Sequence, residues 1–499
     1  MPATDLKKLT SRAGKNVFGF KANSRSLRPI HFTHPLFSHC LGYNYDYDAG
    51  LLDFWDKPSK RAAADLDDAY TDLFEGQGIV SEERIDRVRR YMRLVLDNDD
   101  VLYNNTVHNA PTCTSDWLVT KVVDAVSVGR FLYELICRAD STLEDKIVDQ
   151  LQDHHDGISL LFRPLIDVGA TKNEDVTVIR WDGPEMDDAK AFKTESIASN
   201  LVAGFDRLNT HIRSPRRVAG SYPHDLERII KFSSFAFYLY LINRNSEVRS
   251  DTGHEYRIPI LIDYTNRDGA INDASIQNAN IAHSEVENAT RYGVREELES
   301  IGWKGLDDAE VQERFEAQDL IGLNRTDDDK IDAEYTTLQS MYEVEPSPDT
   351  FDKLVNVMSD AIHDSTFNTY PPRNTAQTFG WRIGLLKPRG NRANQRWFQP
   401  DPELLECIVL SLIEPGSENR ITLPQFCERL RNQYGIIVGG NREDRAHLND
   451  WGITVGTDPD SSNPLRRNYE AFQDILVDLG YATKYADGVT LVEVNKNEY

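Results

Sequence analysis

The chain has 499 residues, 40% of them hydrophobic, and a formal net charge of -25 at pH 7. That length exceeds one ordinary core and points to two to four domains, while the apolar fraction suffices to build them. No run of 18 apolar residues occurs, and the longest, Phe235 to Ile242, is too short to cross a bilayer, which excludes a transmembrane span.

Charge composition carries its own message. The 56 basic residues divide into 18 Lys and 38 Arg, and the 81 acidic ones into 50 Asp and 31 Glu. Abundant short acids, few lysines and a pI near 4.9 suit a cytoplasm of molar salt, where the Debye length falls to about 3 Å and self-repulsion is screened. A halophilic archaeal source and a cytoplasmic location are the expectation. In such a chain acidity is background, and local departures from it carry the signal. Lys7 and Lys8 are followed by no apolar stretch of the kind a signal peptide needs. Five cysteines, Cys40, Cys113, Cys137, Cys407 and Cys427, contain no CxxC pair and read as free thiols.

Residues 1–30 set Lys7, Lys8, Arg12, Lys15, Lys21, Arg25 and Arg28 against Asp5 alone, which reads as a flexible basic arm. His31, His34, His39 and Cys40 follow within ten residues. Four N or S donors invite a zinc reading, but Pro35 interrupts the run and no second ligand pair follows, so a loop packing Phe32, Leu36 and Phe37 is the preferred reading and no metal is assigned. From 31 to 156 the pattern is helical, with segments over 62–74, 81–96, 116–138 and 142–154.

Residues 157–290 read as an α+β domain. Strands are expected over 160–168, 176–181 and 257–264, with helices near 195–208 and 223–243. Asp263 closes the last strand, the place where nucleases of the PD-(D/E)xK type put a metal-binding acid. No acid-x-Lys strand follows Tyr264, Thr265, Asn266 and Arg267, and a turn-capping aspartate is the simpler role. Arg207, Arg213, Arg216 and Arg217 form a small basic patch. Residues 291–364 read as an acidic helical connector; Thr326 to Asp329 lack the glycine and glutamate offsets of a calcium loop.

The stretch 365–400 departs most from the background. It has no acidic residue, and it carries Arg373, Arg382, Lys387, Arg389, Arg392 and Arg396 among Tyr370, Phe379, Trp381, Trp397 and Phe398. Basic and aromatic residues so interleaved suit phosphates and base stacking, or equally an acidic partner surface or core packing.

Helix punctuation is clearest from 401 to 499. Asp401–Pro402 opens a helix to 413, Thr422 to Gln425 is a capping box for a helix ending at Gly435, a short helix spans 442–450, and Asn463–Pro464 opens one that stops at Gly480. Residues 482–494 then form a hairpin around Asp487–Gly488. Short helices followed by a hairpin give a winged helix, in which helix 464–479 would read nucleic acid through Arg466 and Arg467 and Lys484 would sit on the wing. The segment holds 17 acids against 9 bases, so a protein partner fits it as well.

Tyr370-Pro-Pro-Arg, Gly384-Leu-Leu-Lys-Pro-Arg-Gly, Pro402-Glu-Leu-Leu-Glu, Tyr434-Gly-Ile-Ile-Val-Gly-Gly and Asp487-Gly-Val-Thr-Leu-Val together resemble the C-terminal region of uncharacterised proteins from prokaryotic anti-phage defence islands. The resemblance covers about a quarter of the chain and implies a context, not a reaction. The expected fold is multidomain α+β: a mainly helical N-terminal part, a small mixed sheet in the middle and a C-terminal winged helix. The expected function is a non-enzymatic DNA-binding or scaffold subunit of a defence or DNA-processing system. It would meet duplex DNA and other subunits, but no membrane and no cofactor. The candidate contacts are Arg382, Lys387, Arg389, Arg392, Arg396, Trp397, Arg466, Arg467, Lys484, Arg213, Arg216 and Arg217. Two alternatives stand beside it: a PD-(D/E)xK nuclease using Asp263, and a protein-binding adaptor without nucleic-acid affinity.

Overall fold

A computed structural model describes residues 5–19, 29–41, 76, 78, 83–84, 86–88, 90, 123–139, 142–152, 197–212, 222–249, 253–265, 269–318, 328–363, 372–388, 395–456, 463–486 and 488–494. In chain order its helices are α1 (Asp5–Phe18), α2 (Pro29–Cys40), α3 (Val123–Arg138), α4 (Thr142–Gln152), α5 (Ile197–His211) and α6 (Tyr222–Val248). After strand β1 (Ile260–Leu261) come α7 (Ala270–Ser300), α8 (Asp308–Glu316), α9 (Asp328–Val344), α10 (Thr350–Ile362) and α11 (Pro372–Arg382). Strands β2 (Leu386–Lys387) and β3 (Trp397–Phe398) lead to α12 (Pro402–Leu410), β4 (Ile421–Thr422), α13 (Leu423–Tyr434) and β5 (Ile436–Ile437). The last elements are α14 (Arg442–Asp450), α15 (Pro464–Asp478), β6 (Ala482–Lys484) and β7 (Thr490–Val492). The chain is mostly helical with small sheets, an α+β protein. No helix among the described residues is long and apolar enough to cross a membrane.

Two long helices organise the packing. In α6 the run from Phe235 to Ile242 is apolar on every face, and such a helix must be buried all round; every residue of that run is. Helix α7 has 31 residues, roughly 46 Å at 1.5 Å per residue. Its first half contributes Ile271, Ala274, Ala279, Ala282 and Val286 to a core that joins residues from Val17 to Val494, drawing on every expected segment except the connector 291–364, which adds only the partly buried Tyr292. Its far end contributes Val294 and Leu298 to a second core with α8, α9, α10 and the first half of α1. Gly293 marks the closest approach: a methyl there would sit 2.5 Å from the Ala13 carbonyl oxygen.

The N-terminal arm is corrected over Asp5–Phe18, which is helix rather than flexible chain. Leu6, Leu9, Ala13 and Val17, spaced three and four apart, are buried. Arg12 and Asn16 bond the Glu297 carboxylate at 3.2 and 2.7 Å. The carbonyl end of α1, its negative pole, is taken by Arg244 Nε on Val17 O and Tyr240 Oη on Phe18 O.

The expected histidine loop at 31–40 is also a helix, α2, with Pro35 inside it. Its ring is accommodated at Gly129 of α3, where a Cβ would come within 2.5 Å of Pro35 Cβ and 2.8 Å of Phe32 O. Phe32, Leu36 and Phe37 are buried as expected. The strands expected at 160–168 and 176–181 lie outside the described residues. The strand expected over 257–264 is confined to Ile260–Leu261, with a bridge at Ile262.

Candidate nucleic-acid interface

Four short strands from distant parts of the chain, two of them in the acid-free stretch, meet in one layer. Ile260 and Ile262 donate to Gly435 O and Ile437 O at 2.8 and 3.0 Å, pairing β1 parallel to β5. On the other side Ile262 bridges Phe398 in parallel, and the Asp263 amide donates to Phe398 O at 2.8 Å. Strand β2 then closes on β3 antiparallel, with Lys387 opposite Trp397. The resulting order is β2–β3–β1–β5, with Leu386 and Phe398 in the core.

The order and directions decide where the candidate residues go. Residues 388–396 connect β2 to the start of β3, at the end of the layer where β1 begins. Helix α15 docks at the other end. Its Asn468, fully buried, accepts from the Tyr264 amide at 2.8 Å and donates to Ile262 O and Val438 O at 2.6 and 2.8 Å. Lys387 and Trp397, paired at the end where β1 begins, and the first turn of α15 therefore lie at opposite ends of the layer.

Each candidate residue has a distinct setting. Lys387 and Arg382 are half-buried. Trp397 is half-buried too, its Nε1 donating to Gln399 Oε1 at 3.1 Å. Arg396 is a correction: it is 6% exposed, donates to Gln377 O at 2.8 Å, and stacks its guanidinium 5.2 Å over Trp381. A buried arginine serving a carbonyl and an indole holds segment 395–398 on α11 and is closed to phosphate. Phe379 and Phe398 are core residues, so two aromatics of that stretch are packing. Arg389, Arg392, Arg213, Arg216 and Arg217 lie outside the described residues.

On α15, Arg466 is exposed and donates to Glu470 at 2.9 Å, and Arg467 is half-buried. The exposed stripe continues with Glu470, Asp474 and Asp478, at a spacing of four that keeps one helix face. Three carboxylates behind one paired arginine repel a phosphate backbone. Lys484 on β6 is exposed.

Asp263 acts as a turn cap. It is fully buried, with Oδ1 accepting from the Thr265 amide and hydroxyl at 2.8 and 2.6 Å and Oδ2 from Asn272 at 3.1 Å. The strand beside it, β5, offers Ile436 and Ile437 where a nuclease would carry acid-x-Lys. Among the described residues no three His, Cys, Asp or Glu side chains converge as a metal site requires. His39 at the end of α2 is pushed down to about 4 by burial and by Arg130, which favours a neutral packing ring.

A cavity of about 780 Å³ lies between α5, β4 and α13, lined by Asn200, Arg207, Arg420, Glu428, Arg429 and Gln433, among others. Two of its guanidiniums bond the protein itself, Arg207 to Gln433 Oε1 at 2.9 Å and Arg429 to Leu412 O at 3.0 Å. The sequence reading missed Asn468, and nothing in a lone helical asparagine announces three main-chain partners. No protein-family model, curated protein or solved structure matches the chain.

Proposed function

We propose that the chain is a non-enzymatic DNA-binding scaffold subunit of a prokaryotic defence or DNA-processing assembly, with its two basic elements in different roles. The acid-free stretch 365–400 meets duplex phosphates, and the C-terminal unit, read as a winged helix, docks a protein. The winged-helix reading is supported by strand order: β4 follows the first helix and pairs antiparallel with β7, which pairs with β6, as in a three-stranded wing. It departs from the simple form in carrying β5 and α14 between α13 and α15.

One observation carries the division of roles. The exposed face of α15 is acidic, whereas the strands flanking residues 388–396 are fixed to the core and the segment itself has no acid. A surface that binds DNA gains affinity when its Lys and Arg side chains neutralise phosphates and release the counterions held there, and the acid-free stretch supplies such side chains without opposing carboxylates.

The test is duplex DNA binding across a KCl series. Arg389→Glu with Arg392→Glu should weaken binding more than tenfold and flatten the log–log salt slope by about two, one for each lost phosphate contact. Arg466→Glu with Arg467→Glu should leave affinity within about twofold, since those side chains make no phosphate contact. Loss of binding in the second variant instead would overturn the assignment. Absence of wild-type binding at any salt would leave the adaptor function, which the acidic face of α15 favours.

A further inference from the structure

A second cationic site lies far along α7, in the most acidic part of the chain. Residues 285–363 hold 21 acids against 7 bases. Yet a cavity of about 530 Å³ there is lined by three arginines, Arg249 just past α6 and Arg291 and Arg295 on α7, with Asp352 as the one carboxylate among its described lining residues. Asn288, Arg291 and Arg295 are spaced three and four apart and so share one helix face, and Asn356 of α10 stands across from them in the same lining. That amide is held in place by Glu345 Oε1 and Ser347 Oγ at 3.0 and 2.9 Å.

Other described bases of the region are also engaged within the protein: Arg314 and Lys353 lie over the rings of Trp303 and Tyr342, and Lys304 pairs with Glu299. Arg295 itself lies 5.0 Å over the Phe351 ring. At the cavity, Arg291 reaches Asp360 at 3.2 Å and Arg295 reaches Asp352 at 2.5 Å, with all four side chains about half exposed. Half-exposed ion pairs of this kind add little to folding, so bracing α10 against α7 does not account for three guanidiniums around one space. The same weakness lets an anion replace Asp352 at small cost. A guanidinium presents five N–H donors in a planar fork that matches phosphate oxygens, and the volume falls within the roughly 300–1,000 Å³ of small-molecule sites.

We propose that this cavity binds a small phosphate-bearing anion, taken by Arg249, Arg291 and Arg295 and positioned by the remaining N–H of Asn288, while the Asn356 amide donors stay on Glu345 and Ser347. The test is calorimetric titration of the full chain with inorganic pyrophosphate at constant KCl, which should give saturable one-site binding. Arg291→Ala should weaken it about tenfold or more, the worth of one charge-assisted hydrogen bond. Arg291→Lys keeps the charge without the fork and should fall between; it separates lost recognition from a lost fold. Asp352→Asn removes the competing carboxylate and should tighten binding. Arg389→Glu with Arg392→Glu should leave it unchanged. No saturable heat, an unaltered Kd in Arg291→Ala, weaker binding in Asp352→Asn, or loss in the Arg389 and Arg392 variant would each overturn the site.

Discussion

Among the described residues two small sheets are built on opposite plans. The β4–β7–β6 sheet comes from the last quarter of the chain, its hairpin closed by a short turn and its first strand leading directly into a capped helix. The β2–β3–β1–β5 layer draws two or three residues each from around 260, 386, 397 and 436. Turn chemistry and capping specify the first locally. The second is specified by burial and by side chains that satisfy the main chain of strands too short to satisfy themselves. The long-range layer fixes Lys387 and Trp397 of the acid-free stretch, and it is the less legible of the two plans.

The sharpest way to break the comparison is at Asn468. Replacing it with Ala leaves the Tyr264 amide and the Ile262 and Val438 carbonyls buried without their partner. Unsatisfied buried groups cost about 1–3 kcal/mol each, so a loss of about 3 kcal/mol or more is expected in urea unfolding. Asn468→Asp keeps the acceptor for Tyr264 and loses both donor contacts, and it buries a carboxylate facing two carbonyl oxygens. It should be no better tolerated than Ala. A stability change below about 1 kcal/mol in Asn468→Ala would mean that the layer is held by apolar packing alone.

Acid should expose the same contrast. His211 and His283 are buried in the long-range core, His211 against Ile413 O at 2.7 Å and His283 against Tyr238 Oη at 2.9 Å. Burial pushes His211 down to about 4; burial, with Arg396 nearby, pushes His283 to about 3. Both groups bind protons more readily in the unfolded chain, where they titrate near 6.5. Their neutral forms therefore stabilise the fold fully above pH 6.5, and that contribution is lost as pH falls through 6.5 toward 4 and below. The stability slope between pH 6 and 4 should flatten in His211→Gln, measured by urea midpoints. An unaltered slope in that variant would place the acid sensitivity elsewhere.

How much was legible follows the same division. Asp401, Thr422 and Asn463 were read as helix starts, and each side chain does cap its helix. The all-apolar run in α6 was recognised as too short for a membrane, and its burial follows directly from composition. The N-terminal helix was missed because its basic residues dominate the composition, although Leu6, Leu9, Ala13 and Val17 carried the periodicity. Helix α2 was read as loop because Pro35 normally ends a helix, and only Gly129, about 90 residues away, makes room for it. Arg396 looked like its neighbours in sequence, and burial against Trp381 separates it from them. The contacts of Pro35 with Gly129 and of Arg396 with Trp381 leave no local pattern, because each joins residues distant in the chain.

The smallest effect belongs to the locally specified sheet. Thr422 ends β4 and caps α13, with its amide donating to Gln425 Oε1 at 3.0 Å and its hydroxyl taking the Gln425 amide at 3.5 Å. Thr422→Ala removes the hydroxyl half of that reciprocal cap and should cost about 1 kcal/mol. The contact is exposed, so water takes over the amide of Gln425, and β4 keeps its register through Ile421 opposite Val492. Hydrogen exchange should accordingly rise at the first turn of α13 and stay unchanged at Ile260 and Ile262. Faster exchange at those two amides would show that the two sheets open together, and the division between a local and a long-range plan would then describe only their assembly from sequence, not their stability.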